Sequence, residues 1–358
     1  MENVQLSRNE KMVLYGLTKY PVWSDNDVCK KIQMKQSTFS TIKKKLLQDG
    51  YYHTAYDPIL QHLGCELLSI WYLKLNRKTS EKERLEISRD DLLAAKNLVV
   101  AISESNQSIF LSMSKNISDH VETFDRIVQL YESHEYLEED VQCILFPFEQ
   151  SAIFRFFDFA PILNRIFEIE SPAENVLDLD VDSSKVRCKV MHRDLSELEK
   201  QVYLGLIRYP YLSDSALSEK LGSSRQVVGR LRAKFLEEKL IKKRRIVNME
   251  KLGFEMLVMT HAKFNPNKPL RERQLCIQNI AKIKTPIFNI ARDRESVMLT
   301  PFKNFEEYQS IHEKVLNFCW SHDSLKEEPI TILMSIPRLH EIKWRVYEPL
   351  VKAVLNSK

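Results

Sequence analysis

The sequence predicts an α+β protein built from two copies of one module, and three observations support this prediction. Residues 6–70 align without a gap with residues 195–259, at a constant offset of 189 positions. Each copy begins with helical periodicity and continues with strand-like alternation. Positive charge is concentrated at the start of each copy. Because solenoid repeats have periods of roughly 20–50 residues, so long an offset indicates a duplicated module of several elements.

Three helices are predicted at the start of each copy. Ser7 and Ser196 each stand three positions before a glutamate, which is the spacing of a capping box. Ser24 and Ser213 then open a short second helix, and a tight turn leads into a third, amphipathic helix. A short β segment follows. This order predicts a winged helix-turn-helix domain in each copy.

The remainder of each copy is predicted to be a ferredoxin-like βαββαβ domain followed by a closing helix. In the first copy we expect strands at 66–75, 99–103, 108–112 and 141–146, and helices at 91–98, 117–134 and 154–168. In the second we expect strands at 255–264, 288–291, 296–300 and 329–334, and helices at 270–283, 305–322 and 339–355. The two halves should be related by a pseudo-two-fold axis.

These patterns divide the chain into five segments. The predicted boundaries are a winged helix-turn-helix at 1–62, a ferredoxin-like domain with its closing helix at 63–169, an acidic linker at 170–194, a second winged helix-turn-helix at 195–251 and a second ferredoxin-like domain at 252–358. The linker has an additional candidate strand at 185–191.

Composition restricts the function further. The 358 residues carry a net charge of +4, but residues 6–58 alone sum to +4 and residues 195–247 to +6, so the remainder carries −6. This segregation of positive charge points to a polyanionic partner. The absence of an apolar run of membrane-spanning length and of a leader-like start predicts a cytoplasmic protein. Neither the six cysteines nor the nine histidines have metal-ligand spacing, so we expect no metal and no cofactor.

The third helix of each copy is the candidate recognition helix. Its buried stripe, Phe39 to Leu46 or Val228 to Phe235, determines which residues lie on the opposite face. The candidate DNA-binding residues in the first copy are Ser37, Ser40, Thr41, Lys43 and Lys44. Those in the second copy are Arg225, Gln226, Gly229, Arg230 and Arg232, together with the basic run Lys242, Lys243, Arg244 and Arg245 at the expected wing. Arg and Gln can read base edges, whereas the basic run suits phosphates.

Three segments of the second copy carry a family resemblance. They are Leu217 to Ser224 before the third helix, Leu240-Ile241 at the wing and Asn248 to Phe254 before the first sheet strand. With these segments in this order, the second copy resembles the Lrp/AsnC family of transcriptional regulators. The resemblance implies double-stranded DNA as the partner, a small-molecule effector of unknown identity and a homodimer formed through the ferredoxin-like domains. The turns Glu104 to Gln107 and Arg292 to Glu295 lack the glycine of the family's Gly-x-x-Asp turn, so we do not expect amino-acid sensing there.

The leading functional hypothesis is a sequence-specific DNA-binding regulator with no catalytic activity, in which two unlike recognition helices read an asymmetric operator. Two alternatives remain open. Sirohaem decarboxylases resemble Lrp/AsnC proteins and use the architecture to hold a tetrapyrrole, and their Arg-Asp strand turn is half matched by Arg292 and Asp293, although no histidine follows. The third hypothesis is an adaptor whose winged helices bind other proteins.

Overall fold

A computed structural model describes residues 6–169, 189–281 and 283–356, and it shows a mixed α+β protein with antiparallel sheets. The helices are α1 (Arg8–Lys19), α2 (Asp25–Lys31), α3 (Gln36–Gln48), α4 (Glu81–Ala94), α5 (Ile117–Ser133), α6 (Ala160–Ile166), α7 (Glu197–Arg208), α8 (Asp214–Leu221), α9 (Arg225–Glu237), α10 (Leu270–Ala281), α11 (Phe305–Ser321) and α12 (Glu348–Leu355). The strands are β1 (Tyr52–Pro58), β2 (Leu67–Lys74), β3 (Leu98–Glu104), β4 (Gln107–Ser114), β5 (Gln142–Pro147), β6 (Ser151–Arg155), β7 (Ile241–Val247), β8 (Met256–Lys263), β9 (Phe288–Arg292), β10 (Glu295–Phe302), β11 (Ile330–Ser335) and β12 (His340–Trp344).

The predicted helix starts are confirmed by their hydrogen bonds. Ser7 accepts from the Glu10 amide while the Glu10 carboxylate accepts from the Ser7 amide, and Ser196 makes the same box with Glu199. Gly222 ends α8 in the left-handed conformation with φ of 62°, where glycine has no Cβ penalty. These signals are local, which explains why the sequence predicted them well.

The chain divides into two compact units that do not follow chain order. The first unit contains the chain up to Ala55, the stretch that begins at Ala152, and Lys243–Pro337. The second contains Tyr56–Ser151, the stretch that ends at Lys242, and the chain from Arg338 onwards. Helices α1 to α3 therefore share a unit with the sheet of the second half, and helices α7 to α9 share a unit with the sheet of the first half.

Each unit contains one five-stranded sheet. The strand order is β11-β8-β10-β9-β6 in the first unit and β12-β3-β4-β2-β5 in the second. Four strands of each sheet come from one half of the sequence, and the edge strand comes from the other half. In the first unit this edge is anchored by Arg155, which donates to the carbonyl oxygens of Ile283 and Pro286, and by the Asp158 amide, which donates to the Ile287 carbonyl at 2.8 Å.

The exchanged edge strands correct the predicted closing helices. We expected helix at 154–168 and 339–355, whereas each stretch begins with a strand, β6 or β12, and the helix starts only at Ala160 or Glu348. A proline follows in the first turn of both helices, where its missing amide hydrogen costs nothing, so the proline sets the helix start.

Two other differences concern α4 and the linker. The helix predicted at 91–98 is α4, which starts ten residues earlier at Glu81 because Ser80 accepts a hydrogen bond from the Glu83 amide. The acidic linker and the strand expected at 185–191 lie largely outside the described residues. Among the helices of the described residues, none combines the length and the apolar character that crossing a bilayer requires.

Candidate functional site

The exposed face of α9 carries most of the residues predicted to contact DNA in the second copy. Ser224 accepts from the Val227 amide and starts the helix. Val228, Leu231 and Phe235 are buried as predicted. Arg225, Gln226, Arg230 and Ala233 are exposed, and Gly229 is half-buried with its Cα facing the Asp214 carboxylate. The geometry thus leaves one arginine-rich helix face open to a partner.

The α3 face of the first copy is also open. Ser37, Ser40, Thr41 and Lys44 are exposed. The Thr41 hydroxyl donates to the Ser37 carbonyl at 3.1 Å, so it satisfies a backbone group within its own helix. This face offers short hydroxyls and one lysine, in contrast to the arginines of α9.

Lys43 and Arg232 occupy aligned positions and form intramolecular ion pairs. The Lys43 ammonium lies 2.7 Å from the Asp25 carboxylate, and the Arg232 guanidinium lies 2.7 Å from Asp214. Arg232 also lies over the Tyr56 ring. The two cations therefore connect α2 to α3 and α8 to α9.

The basic run lies in the β segment that was predicted after the third helix. This segment is strand β7, which pairs with β1 in a two-stranded sheet. Lys242 is exposed, but Lys243, Arg244 and Arg245 are half-buried. Arg245 donates to the Thr54 hydroxyl at 2.5 Å, and Arg244 lies 3.9 Å from the Asp158 carboxylate. Arg244 and Arg245 of the basic run therefore interact with other residues of the protein.

A polar cluster lies on the sheet of the first unit, on the face opposite to helices α10 and α11. The His261 Nε2 and the Glu295 Oε2 are 2.9 Å apart, and Arg292 donates from Nε to the Glu295 Oε1 at 2.7 Å. His261 is on β8, Glu295 on β10 and Arg292 on β9. The antiparallel register places His261 opposite Val297, diagonally across from Glu295. We call His261, Arg292 and Glu295 the His–Glu–Arg cluster.

The cluster is mostly buried, and its charges are compensated. His261 is 5% and Glu295 is 9% exposed, whereas the Arg292 side chain is 36% exposed. Burial raises the pKa of Glu295, but hydrogen bonds from His261 and Arg292 outweigh this effect and hold the pKa below its usual value. The cluster therefore contains a carboxylate, an imidazole beside it and a cation that reaches the surface.

The position of His261 beside this turn is not evident in the sequence, because no histidine directly follows Arg292–Glu295 along the chain. The histidine comes from a strand that precedes the turn, and the antiparallel ladder brings the two together. The offset between the two halves is 189 positions at Tyr72 and 188 positions from Glu104 onwards. The residues that correspond to His261, Arg292 and Glu295 are therefore Tyr72, Glu104 and Gln107. The second unit thus has no equivalent imidazole, and its Glu104 lies 3.7 Å from Arg338.

In the described part of the chain, no group of three or more His, Cys, Asp or Glu side chains could hold a metal ion. The cysteines of residues 6–169 and 189–356, namely Cys29, Cys65, Cys143, Cys276 and Cys319, are free thiols.

No family model and no curated protein matches the chain. Among solved structures, it is similar over almost its whole length to the siroheme decarboxylase NirDL, with 12% identity, a TM-score of 0.51, and coverage of 97% of this chain and 98% of that chain. The same enzyme in complex with an iron-uroporphyrin III analogue matches with 12% identity and a TM-score of 0.54, covering 98% and 99%. AsnC of E. coli matches 40% of this chain and 93% of its own, with 12% identity and a TM-score of 0.33.

The two full-length matches show that the chain has the fold of the siroheme decarboxylase NirDL. They also correct the expectation that the chain is not an enzyme, because the protein whose architecture matches 97–98% of the chain is an enzyme. The spacing of motifs along the sequence did not indicate the His–Glu–Arg cluster, because the cluster is assembled from three separate strands.

Proposed function

We propose that the chain is an enzyme of the siroheme-decarboxylase type, which acts on an iron tetrapyrrole that carries carboxylate side chains. The observation that carries this proposal is His261, which lies against the Arg292–Glu295 turn in a fold shared over 97–98% of the chain with that enzyme. The sequence lacked a histidine after the turn, and the neighbouring strand supplies one.

The His–Glu–Arg cluster has the groups that decarboxylation requires. The carbon–carbon bond to the carboxylate breaks, carbon dioxide leaves, and the remaining carbon takes up a proton. His261 and Glu295 share a hydrogen bond, so this pair can hold the proton and deliver it as a general acid. The partly exposed Arg292 can bind a substrate carboxylate with a charge-assisted hydrogen bond.

Titration with iron uroporphyrin III tests the proposal, because binding shifts the Soret band of the macrocycle. Product formation from siroheme is followed by mass spectrometry as the loss of carbon dioxide from the tetrapyrrole. We expect His261→Gln to bind the macrocycle but to lose turnover by about 10²–10⁴-fold, which is the contribution of a general acid. Arg292→Gln should weaken binding, because it removes the cation for the substrate carboxylate.

The chain offers a matched control at Tyr72, which aligns with His261 in the other half. Tyr72→Phe changes one polar atom at the corresponding sheet position and should leave turnover unchanged. If the purified wild-type protein does not shift the Soret band, the proposed substrate class is wrong. If His261→Gln turns over normally, the assignment of the cluster is wrong.

Duplex DNA binding is a second candidate function, favoured by the two open helix faces of α3 and α9. In this proposal the chain contains two winged helix-turn-helix and two ferredoxin-like modules, and its unlike faces read an asymmetric operator. A small-molecule effector and a dimer formed through the ferredoxin-like parts would complete a regulator of the Lrp/AsnC type. Arg225, Gln226 and Arg230 are exposed on one face, and Ser40, Thr41 and Lys44 on the other.

Salt dependence distinguishes DNA binding from binding to a protein partner. For each phosphate that the protein neutralises, the slope of log affinity against log salt concentration becomes steeper by about 0.9, because counterions are released. Arg230→Ala should relax base preference in a selection from random duplexes, and Thr41→Ala at the aligned position of α3 is its matched comparison. Affinity for duplex DNA that does not change with salt would exclude this candidate and favour the adaptor hypothesis.

A further inference from the structure

The end of the sheet that carries the His–Glu–Arg cluster also carries two exposed cations, Arg294 and Lys326. Arg294 lies in the turn between β9 and β10, and Lys326 lies in the loop between α11 and β11. The Phe264 amide donates to the Arg294 carbonyl at 2.8 Å, and the Lys326 amide donates to the Lys263 carbonyl at 2.9 Å. Because neighbouring strands are about 4.8 Å apart, the two backbones lie on either side of the end of β8, about 10 Å from each other. We call Arg294 and Lys326 the basic rim.

The basic rim differs from the lysine between its two members, whose charge is compensated. The Lys263 Nζ lies 2.8 Å from the Glu327 carboxylate. The aligned residues of the other half, Lys74 and Glu139, form the same ion pair at 2.9 Å, so this pair belongs to the architecture that both units share. No described residue forms an ion pair with either cation of the basic rim. The rim therefore presents positive charge to an anion from solution.

The corresponding end of the sheet in the second unit has the opposite charge. The same two backbone hydrogen bonds place Asn106 and Glu138 at the positions of the basic rim. The five aligned positions of the turn and the loop are residues 292–294 and 326–327 in the first unit, and residues 104–106 and 138–139 in the second. Their charges sum to +1 in the first unit and to −3 in the second. The positive rim is thus found beside the His–Glu–Arg cluster, and the aligned surface of the unit without that cluster is acidic.

We propose that the basic rim is a second carboxylate-binding subsite, which holds one side-chain carboxylate of the tetrapyrrole while another lies at Arg292. This inference rests on the proposed function. A tetrapyrrole with acetate and propionate substituents presents carboxylates around its whole edge, so a macrocycle held at the cluster brings others to the neighbouring surface. Arginine and lysine bind carboxylates through charge-assisted hydrogen bonds. The rim therefore selects macrocycles that carry many carboxylates over those that carry few.

The exposure of the basic rim determines which step it affects. Both cations are in contact with water, where one ion pair contributes little to affinity because the solvent screens it. Exposed charges at the edge of a site instead attract an oppositely charged ligand and raise its association rate, and added salt weakens this effect. The rim should therefore act mainly on the association rate constant, in a salt-dependent manner, and leave the bond cleavage at the His–Glu–Arg cluster unaffected.

Stopped-flow measurement of the Soret shift tests the subsite with the full chain and two iron porphyrins. Iron uroporphyrin III carries an acetate and a propionate on each pyrrole ring, whereas methyl groups replace the acetates in iron coproporphyrin III. At low salt, the double variant Arg294→Gln, Lys326→Gln should bind iron uroporphyrin III about three- to tenfold more slowly than wild type. The variant Arg294→Asn, Lys326→Glu, which has the residues of the other half, should be slower still. The effect on iron coproporphyrin III should be smaller, and both effects should fade as salt is added.

The matched control neutralises one arginine and one lysine at the same end of the other sheet, with the variant Arg77→Gln, Lys78→Gln at two exposed positions. It should bind both porphyrins at the wild-type rates; equal slowing by this control would overturn the subsite, because net charge alone would then explain the effect. Either single rim variant replaces the double variant if the double variant does not fold. If wild type binds but the folded rim variants keep its rates and its preference, the subsite is wrong and the proposed function stands. If wild type shifts neither Soret band, the proposed function is wrong and the subsite falls with it.

Discussion

Replacing Arg345 by phenylalanine removes the cation that compensates the charge of the buried Asp57 carboxylate. In the second unit the Arg345 guanidinium donates to Asp57, and the two side chains are 3% and 2% exposed. Breaking a buried ion pair from one side costs about 3–5 kcal/mol, because the remaining charge stays out of water and has lost its opposite charge. We therefore expect Arg345→Phe to remove a large part of the stability of the second unit.

The chain itself supplies the compensating change. In the alignment of the two halves, Asp57 corresponds to Ile246 and Arg345 to Phe157, and both of these apolar residues are buried. Phe157 and Arg345 have similar left-handed backbone conformations, with φ of 49° and 58°, so phenylalanine is compatible with this position. The double variant Asp57→Ile, Arg345→Phe should be neutral or more stable than wild type by up to about 4 kcal/mol.

Native-state hydrogen exchange is the appropriate assay, because a chain with two units need not unfold in one step. The amide of Val346, which donates to the Val99 carbonyl, reports on this part of the second unit. Protection should fall in Arg345→Phe and return in the double variant. A loss below about 1 kcal/mol, the average for ordinary substitutions, would refute the reasoning for the single change. A double variant as unstable as the single one would refute the compensation.

Three further predictions concern a steric limit and two ionisable groups. Gly64→Ala should lower the melting temperature, because Gly64 has φ of 91° and an added Cβ would lie 2.5 Å from the His192 ring. Adding His192→Ala should recover part of the loss. A Gly64→Ala variant as stable as wild type would contradict this reasoning. The hydrogen bond from Lys234 lowers the pKa of Glu199 from 4.5 to about 2. The ionised Glu199 therefore contributes its full stabilisation above pH 4.5 and loses it as the pH falls towards 2. The difference in melting temperature between wild type and Glu199→Gln should shrink over that interval, and a constant difference would contradict this reasoning. Burial lowers the pKa of Lys343 from 10.5 to about 8, so the charged lysine lowers the stability of the folded state most below pH 8. Lys343→Met should therefore raise the melting temperature at pH 7, and this gain should decline as the pH rises from 8 to 10.5. Thermal denaturation of both proteins across that pH range checks the prediction.

The sequence by itself determined the parts that depend on neighbours in the chain. The capping boxes at Ser7 and Ser196 and the buried stripes of the third helices involve residues a few positions apart, so periodicity and spacing were sufficient to find them. The residues exposed on α3 and α9 followed from the same helical geometry.

Only the tertiary structure decided the features that join distant segments. The edge strands β6 and β12 belong to sheets built from the opposite half of the chain, a choice that no local propensity encodes. The pairing of β1 with β7, the strand that carries the basic run Lys242 to Arg245, likewise joins segments that are distant in the sequence. His261 lies beside Glu295 because of the register of β8 and β10. Such juxtapositions depend on long-range pairing and packing, whereas a sequence pattern reports only what lies within a few residues.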